Sequence, residues 1–169
     1  MSGYHFELLK ILVVDDNAHM RKLIVTILHA FGVGQVVEAA TGEKAWALLR
    51  ETTPDVITLD WVMGGMSGIE LAKKIRTHPQ SPNPFVPVIM LTGYTQVHHV
   101  AQARDAGINE FLAKPVSATA MMTRLTSVIE QPRPFVRTGM YFGPCRRRRG
   151  DDDYKGPERR NDPAQQAAE

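Results

Sequence analysis

Lys10-Ile-Leu-Val-Val14 is a short apolar, β-branched run that stops abruptly at Asp15-Asp16. Such a run suits a strand buried on both faces, since a half-exposed strand would alternate with polar residues. Asn17 then offers a side-chain oxygen to cap a helix, along which Met20, Leu23, Ile24, Ile27, Leu28 and Phe31 recur at three- and four-residue steps. Gly32 and Gly34 end that helix, and the same strand-then-helix unit returns along the chain. Further strands are expected at 36–39, 56–59, 86–91 and 110–112, and further helices at 41–50, 69–76, 96–106 and 118–130. Pro54 and the loop prolines Pro79, Pro82 and Pro84 punctuate the pattern. Five strands alternating with five helices predict an α/β fold, a parallel sheet covered on both faces. In such a sheet a ligand site lies beyond the carboxyl ends of the strands.

The polar residues fall at those ends. Asp15 and Asp16 follow the first strand, Asp60 the third, Thr92 the fourth and Lys114 the fifth. Taken singly, an Asp pair after a strand is commonly a turn or cap, and a Lys-Pro is commonly a loop. Their joint placement on four strand ends argues for a site. Three crowded carboxylates repel one another and hold raised pKa values unless a cation joins them. All-oxygen donors suit Mg²⁺, which keeps waters and also binds a phosphate oxygen. A carboxylate held against Mg²⁺ and the Lys114 ammonium is placed to attack a phosphoryl donor, with the Thr92 hydroxyl helping to stabilise the equatorial oxygens.

The segments Ile11-Leu-Val-Val-Asp15-Asp16, Asp60-Trp-Val-Met63, Met90-Leu-Thr92-Gly and Phe111-Leu-Ala-Lys114-Pro115 resemble the receiver domains of two-component response regulators, over about residues 8–131. The resemblance implies a flavodoxin-like (CheY-like) sheet with strand order 2-1-3-4-5, an order taken from the family and not from spacing. It implies that Asp60 is the phosphoacceptor, and that Asp16, Asp60 and the Val62 carbonyl ligate Mg²⁺ directly, with Asp15 acting through water. Lys114 would pair with the phosphoryl group, while Thr92 and Phe111 match the hydroxyl and aromatic positions that rearrange on activation. A sensor histidine kinase or phosphotransfer protein would be the phosphoryl source. Receivers usually carry proline after the Met of the Asp-x-x-Met segment, whereas here Gly64 follows Met63. The Gly64-Gly65 pair is expected to loosen that loop and change Mg²⁺ affinity, and Val62 with Tyr94 to restrict water at the acceptor. Trp61, beside Asp60, is expected to report metal binding. His98-His99 has no third ligand at sensible spacing and reads as solvated, while His19 and His29 read as structural.

The chain of 169 residues carries a net charge of +2 that is unevenly placed. Residues 1–131 hold 11 Lys/Arg against 12 Asp/Glu, and residues 132–169 hold 9 against 6. A basic excess confined to the end points to an anionic partner for that segment. One cysteine, Cys145, excludes an internal disulfide framework and fits a reducing compartment. With no secretory pattern and no run approaching the ~20 apolar residues of a membrane span, the expected place is the cytoplasm, without membrane insertion.

Two regions are expected: a receiver over 1–131 and an arginine-rich tail over 132–169 that lacks regular structure and orders on ligand binding. No output domain is recognisable, so DNA regulation of the ordinary kind is not expected. The tail contains a repeat, Tyr141-Phe-Gly-Pro-Cys-Arg146-Arg147 and Tyr154-Lys-Gly-Pro-Glu-Arg159-Arg160, with Arg148, Arg149 and Asp151-Asp152-Asp153 between the copies. Gly-Pro reads as a bend that presents an aromatic ring and an arginine pair twice. Arginine forks onto guanine or pairs with phosphate, tyrosine stacks, and aspartate accepts from guanine. The tail also resembles that of the Cle proteins, alphaproteobacterial CheY-like cyclic di-GMP effectors associated with the flagellar motor switch. That resemblance implies a cyclic di-GMP site built from Arg137, Tyr141, Arg146, Arg147, Arg148, Arg149, Asp152, Tyr154, Arg159 and Arg160. The rival readings are a plain phosphoreceiver (shuttle or sink) with an inert tail, non-specific nucleic-acid binding, which needs only charge, and docking on an acidic protein. No enzyme chemistry is legible beyond self-phosphorylation and dephosphorylation of Asp60.

Overall fold

The computed structural model describes residues 5–93 and 97–146. Five parallel strands, β1 (Lys10–Val14), β2 (Gln35–Ala39), β3 (Val56–Asp60), β4 (Val88–Thr92) and β5 (Glu110–Ala113), pair in the order β2-β1-β3-β4-β5. Five helices connect or follow them: α1 (Ala18–Ala30), α2 (Gly42–Thr52), α3 (Gly68–Thr77), α4 (Val97–Asp105) and α5 (Ala118–Glu130).

Because side chains alternate along a strand, each central strand feeds two cores. Leu12, Val14, Ile57, Leu59, Val88 and Met90 face α2, α3 and α4, where they meet Leu49, Leu71, Ile75 and Ala103. Ile11, Val13, Val56, Ile89 and Leu91 face α1 and α5, against Ile24, Leu28, Met121 and Leu125. Each fully buried Leu or Ile contributes about 1.5–3 kcal/mol, so the continuous apolar runs are what hold the strands in the middle. The expected face of α1 holds except at Leu23, which is 43% exposed.

The cap expected at Asn17 forms, and caps on α2 and α3 join it. The Asn17 side chain accepts from the N–H groups of His19 and Met20, Thr41 caps α2, and Ser67 and Glu70 form a reciprocal capping box on α3. The fourth strand begins two residues later than expected, at Val88. Before it the carbonyls of Pro84 and Val86 accept from the Arg76 guanidinium instead of joining the sheet.

The larger departure is in the tail, where regular structure was not expected. Residues 135–144 form an antiparallel hairpin of β6 (Phe135–Thr138) and β7 (Tyr141–Pro144). Gly143-Pro144, expected as a bend, completes β7. Thr138 pairs with Tyr141 across a two-residue connection, Gly139-Met140, which lacks the Asn-Gly signature that would have announced it. The hairpin lies at the amino-terminal edge of β4 and β5, opposite the strand ends that carry the acidic residues. There Phe85, Phe135 and Phe142 pack together with ring centroids 5.2–5.6 Å apart. A Cβ on Gly143 would come within 2.8 Å of the Gly107 Cα, so glycine is needed where β7 crosses the α4–β5 connection. Arg133 donates to the carbonyls of Asn109 and Cys145, and the Cys145 N–H donates to Pro134 at 2.7 Å.

Candidate acidic phosphorylation site

Strand register builds the site. Val14 pairs with Leu59, so Asp15 stands level with Asp60; Asp60 pairs with Leu91, and Thr92 pairs with Ala113, which places Lys114 one step further on. Ligand oxygens of Asp15, Asp16 and Asp60 all lie within 4.8 Å of one another. Asp15 and Asp60 are buried and Asp16 is exposed. The Lys114 ammonium bridges the buried pair, donating to Asp60 Oδ1 at 2.8 Å and Asp15 Oδ2 at 3.1 Å. The other Asp15 oxygen accepts from the Asn17 N–H at 2.8 Å.

Burial raises the pKa of Asp60, the Lys114 hydrogen bond opposes that, and the charges of Asp15 and Asp16 push it up again. For Lys114, burial works against the charge, but the hydrogen bonds and charges of Asp60 and Asp15 outweigh it and raise the pKa. Three acids with one internal cation leave an excess of negative charge, which fits a divalent ion held by hard oxygen donors. Val62 lines the same opening together with Asp16, Asp60, Trp61, Gly93 and Lys114.

Thr92 is buried at the end of β4 and accepts at its carbonyl from the Lys114 N–H, and Phe111 packs partly buried on the β4 side. The predicted residues of the acidic site therefore converge. Three expectations around them change. The Gly64-Gly65 loop is tied down: the Gly64 N–H donates to Asp16 Oδ2 and the Met66 N–H to Glu43 Oε1, each at 3.2 Å. Val62 is 54% exposed and so does not seal the acceptor from water, while Tyr94 lies outside the described residues. His99 is not simply solvated, since its ring meets the edge of Trp61 with centroids 5.5 Å apart; the His98 side chain lies outside what is described. His19 and His29 are exposed on α1.

Arg21 escaped the sequence reading. Its guanidinium donates to the Asp15 carbonyl at 2.8 Å and pairs with Glu38 on β2 at 3.3 Å, which pins the β1–α1 turn. The available signal was its place on the first turns of α1, within reach of Asp15 and Asp16.

Of the expected tail residues, Arg137, Tyr141 and Arg146 are described. Arg137 stacks on Phe142 at 4.4 Å and Arg146 on Tyr141 at 4.3 Å, and Arg146 also pairs with Asp105 of α4 at 2.8 Å. The Tyr141 hydroxyl donates to the Pro144 carbonyl at 2.8 Å. Arg147, Arg148, Arg149, Asp152, Tyr154, Arg159 and Arg160 lie outside the described residues.

A doubly wound parallel sheet that presents three carboxylates and a lysine at its carboxyl edge defines a class: α/β domains with an acidic edge suited to a divalent cation. The comparisons narrow the class to a family. Residues 11–126 match the response regulator receiver domain, and the chain belongs to that family of two-component signalling proteins. It is 32% identical to chemotaxis protein CheY-3 of Vibrio cholerae over 123 residues, covering 73% of this chain and 93% of that protein. It is 35% identical to the chemotaxis protein CheY homolog of Campylobacter jejuni over 122 residues, covering 72% and 92%. Among solved structures, Vibrio cholerae chemotaxis protein CheY4 superposes with a TM-score of 0.66 at 30% identity, covering 72% of this chain and 98% of that one. The N-terminal domain of a response regulator receiver protein from Methanoculleus marisnigri gives a TM-score of 0.58 at 30% identity, covering 73% and 98%.

Proposed function

We propose that the chain is a switch phosphorylated on Asp60, and that its arginine-rich tail binds cyclic di-GMP to alter engagement with a target. The phosphorylation reading rests on one observation above others, the Lys114 ammonium at 2.8 Å from Asp60 and 3.1 Å from Asp15 among three clustered acids. An Asp60 carboxylate oxygen attacks phosphorus on a phosphorylated donor such as a histidine kinase or phosphotransfer protein. The bond from phosphorus to the donor breaks, the donor nitrogen keeps the electron pair, and an acyl phosphate forms. Lys114 offers its charge to a phosphoryl oxygen, Thr92 offers a hydroxyl, and Arg21 holds the turn that carries Asp15 and Asp16. Asp15, Asp16, Asp60 and the Val62 carbonyl would hold Mg²⁺, which when bound neutralises charge on the transferring group. Water attack on the acyl phosphate resets the switch, and the chain performs no other chemistry.

Support for the tail reading is narrower. Tyr141 carries an arginine on its ring, Arg137 stands over a second ring, and both guanidinium groups are presented at the surface of an otherwise basic segment. These are groups that stack on bases and fork onto guanine or phosphate. The similarity to chemotaxis proteins makes the flagellar motor switch a candidate target and the cytoplasm the place of action. The competing reading is a plain phosphoreceiver whose tail is a structural buttress, favoured by the use of Arg133, Phe135 and Phe142 in docking the hairpin.

Two measurements test the proposal. Beryllofluoride with Mg²⁺ should change Trp61 fluorescence in the wild type and not in Asp60→Ala. Calorimetry with cyclic di-GMP should give binding that Arg146→Ala/Arg159→Ala abolishes. No heat from the wild type leaves the buttress reading in place.

A further inference from the structure

Of the acid-site carboxylates, Asp15 and Asp60 are committed inward. Lys114 holds an oxygen of each, and the Asn17 N–H holds the second oxygen of Asp15. Asp16 is the exposed member, and its Oδ2 accepts from the Gly64 N–H at 3.2 Å. Gly64 belongs to the connection between β3 and α3, two residues beyond Val62. The same connection is tied a second time, through the Met66 N–H to Glu43 Oε1 at 3.2 Å. Between the two ties Gly65 takes φ +78°, a left-handed backbone that glycine adopts at little cost.

We propose that the Gly64 N–H competes with a divalent cation for Asp16, so that metal entry and release of the 62–66 loop are coupled events. The inference rests on the acid site being a metal-dependent phosphoacceptor. The Gly64 N–H draws on the same carboxylate whose ligand oxygen lies within 4.8 Å of those of Asp15 and Asp60, so a cation in the cluster and the loop N–H share one acceptor group. The loop that would supply the Val62 carbonyl is the same loop that holds Asp16. A cation on Asp16 therefore weakens the Gly64 bond by drawing on the same negative charge, and the loop registers whether the site is filled.

Only proline lacks the donor, which gives a clean substitution pair. Gly64→Pro deletes the N–H. Gly64→Ala keeps it, and nothing lies within 4 Å of where its Cβ would sit. A hydrogen bond of this kind corresponds to roughly a three- to tenfold change in an equilibrium constant. Mg²⁺ titration followed by Trp61 fluorescence should show Gly64→Pro binding tighter by that factor and Gly64→Ala binding like the wild type. In the wild type itself, hydrogen exchange at the Gly64 amide should accelerate severalfold when Mg²⁺ is added, a measurement that needs no substitution. Equal or weaker Mg²⁺ binding by Gly64→Pro, or a Gly64 amide whose exchange is unchanged by Mg²⁺, overturns the coupling. A wild type with no fluorescence response to Mg²⁺, or a response undiminished in Asp60→Ala, overturns the phosphoacceptor reading beneath it.

Discussion

Arg76 carries its charge to a place where it is only 3% exposed, yet among the described residues no carboxylate meets it there. Its guanidinium donates instead to the carbonyls of Gly107, Pro84 and Val86 and to Asn109 Oδ1, and the Phe135 ring lies 5.0 Å away. Burial pulls its pKa down to about 9, which leaves it cationic at neutral pH. Arg76→Met takes the guanidinium donor from three carbonyls, while Asn109 Oδ1 keeps the Val88 N–H, and should cost about 3 kcal/mol by urea unfolding. Arg76→Lys should recover less than half of that, because an ammonium lacks the planar fork that reaches several carbonyls at once. At the acid site, Lys114→Ala removes the only cation within bonding distance of Asp60 among the described residues. Labelling by a small phosphodonor should fall at least tenfold while the fold persists, checked by circular dichroism.

The hairpin of β6 and β7 is the element whose contribution can be isolated. It meets the receiver through the Phe85–Phe135–Phe142 cluster, the Arg133 bond to Asn109 and the crossing of Gly143 over Gly107. Aromatic pairs add about 0.5–1.5 kcal/mol each beyond area, so a chain ending at residue 132 should lose about 2–4 kcal/mol in urea unfolding. An unchanged midpoint would show that the hairpin rests on the receiver without supporting it. At the amino-terminal end of α3, the Ser67–Glu70 capping box should show in Ser67→Ala as a loss of about 1 kcal/mol. The hydrogen bonds from Ser67 hold the Glu70 carboxyl below 4.5. A lowered folded-state pKa stabilises above the unfolded value and is lost as pH falls through the folded one, so the Ser67→Ala deficit should shrink as acid titrates Glu70.

For the molecule as a whole, the acid site and the hairpin sit on opposite edges of one sheet, with β4, β5 and α4 between them. Arg146 reaches α4 through Asp105 in an exposed ion pair, 43% and 53% accessible. Such pairs contribute about 0–1 kcal/mol, so a tail ligand that recruits Arg146 displaces it cheaply. Asp105→Asn should tighten the cyclic di-GMP binding proposed for the tail by no more than about fivefold in calorimetry. If beryllofluoride changes that affinity, linkage requires cyclic di-GMP to change beryllofluoride affinity by the same factor. An affinity that beryllofluoride leaves unchanged would show that the two sites are uncoupled.

The five strands, the five helices and the site residues Asp15, Asp16, Asp60, Thr92 and Lys114 were legible in the sequence. Continuous apolar runs, the cap at Asn17 and polar residues at strand ends are local signals that parallel topology turns into a common edge. Three features depended on distant parts of the chain meeting. Arg76 is one of two cations in the last turn of α3, and only the folded chain brings Pro84, Val86, Gly107 and Asn109 around it. The hairpin carries four-residue strands and a weak turn signal, so its stability comes from Phe85 and Gly107 beneath it more than from its own propensity. The hold of Gly64 on Asp16 joins residues 48 apart. The sequence could suggest glycine flexibility at that loop, but only the packed molecule showed that the N–H is engaged. Composition and spacing set the sheet and its acidic edge; close approach in space decided which backbone donors and buried cations constrain that edge.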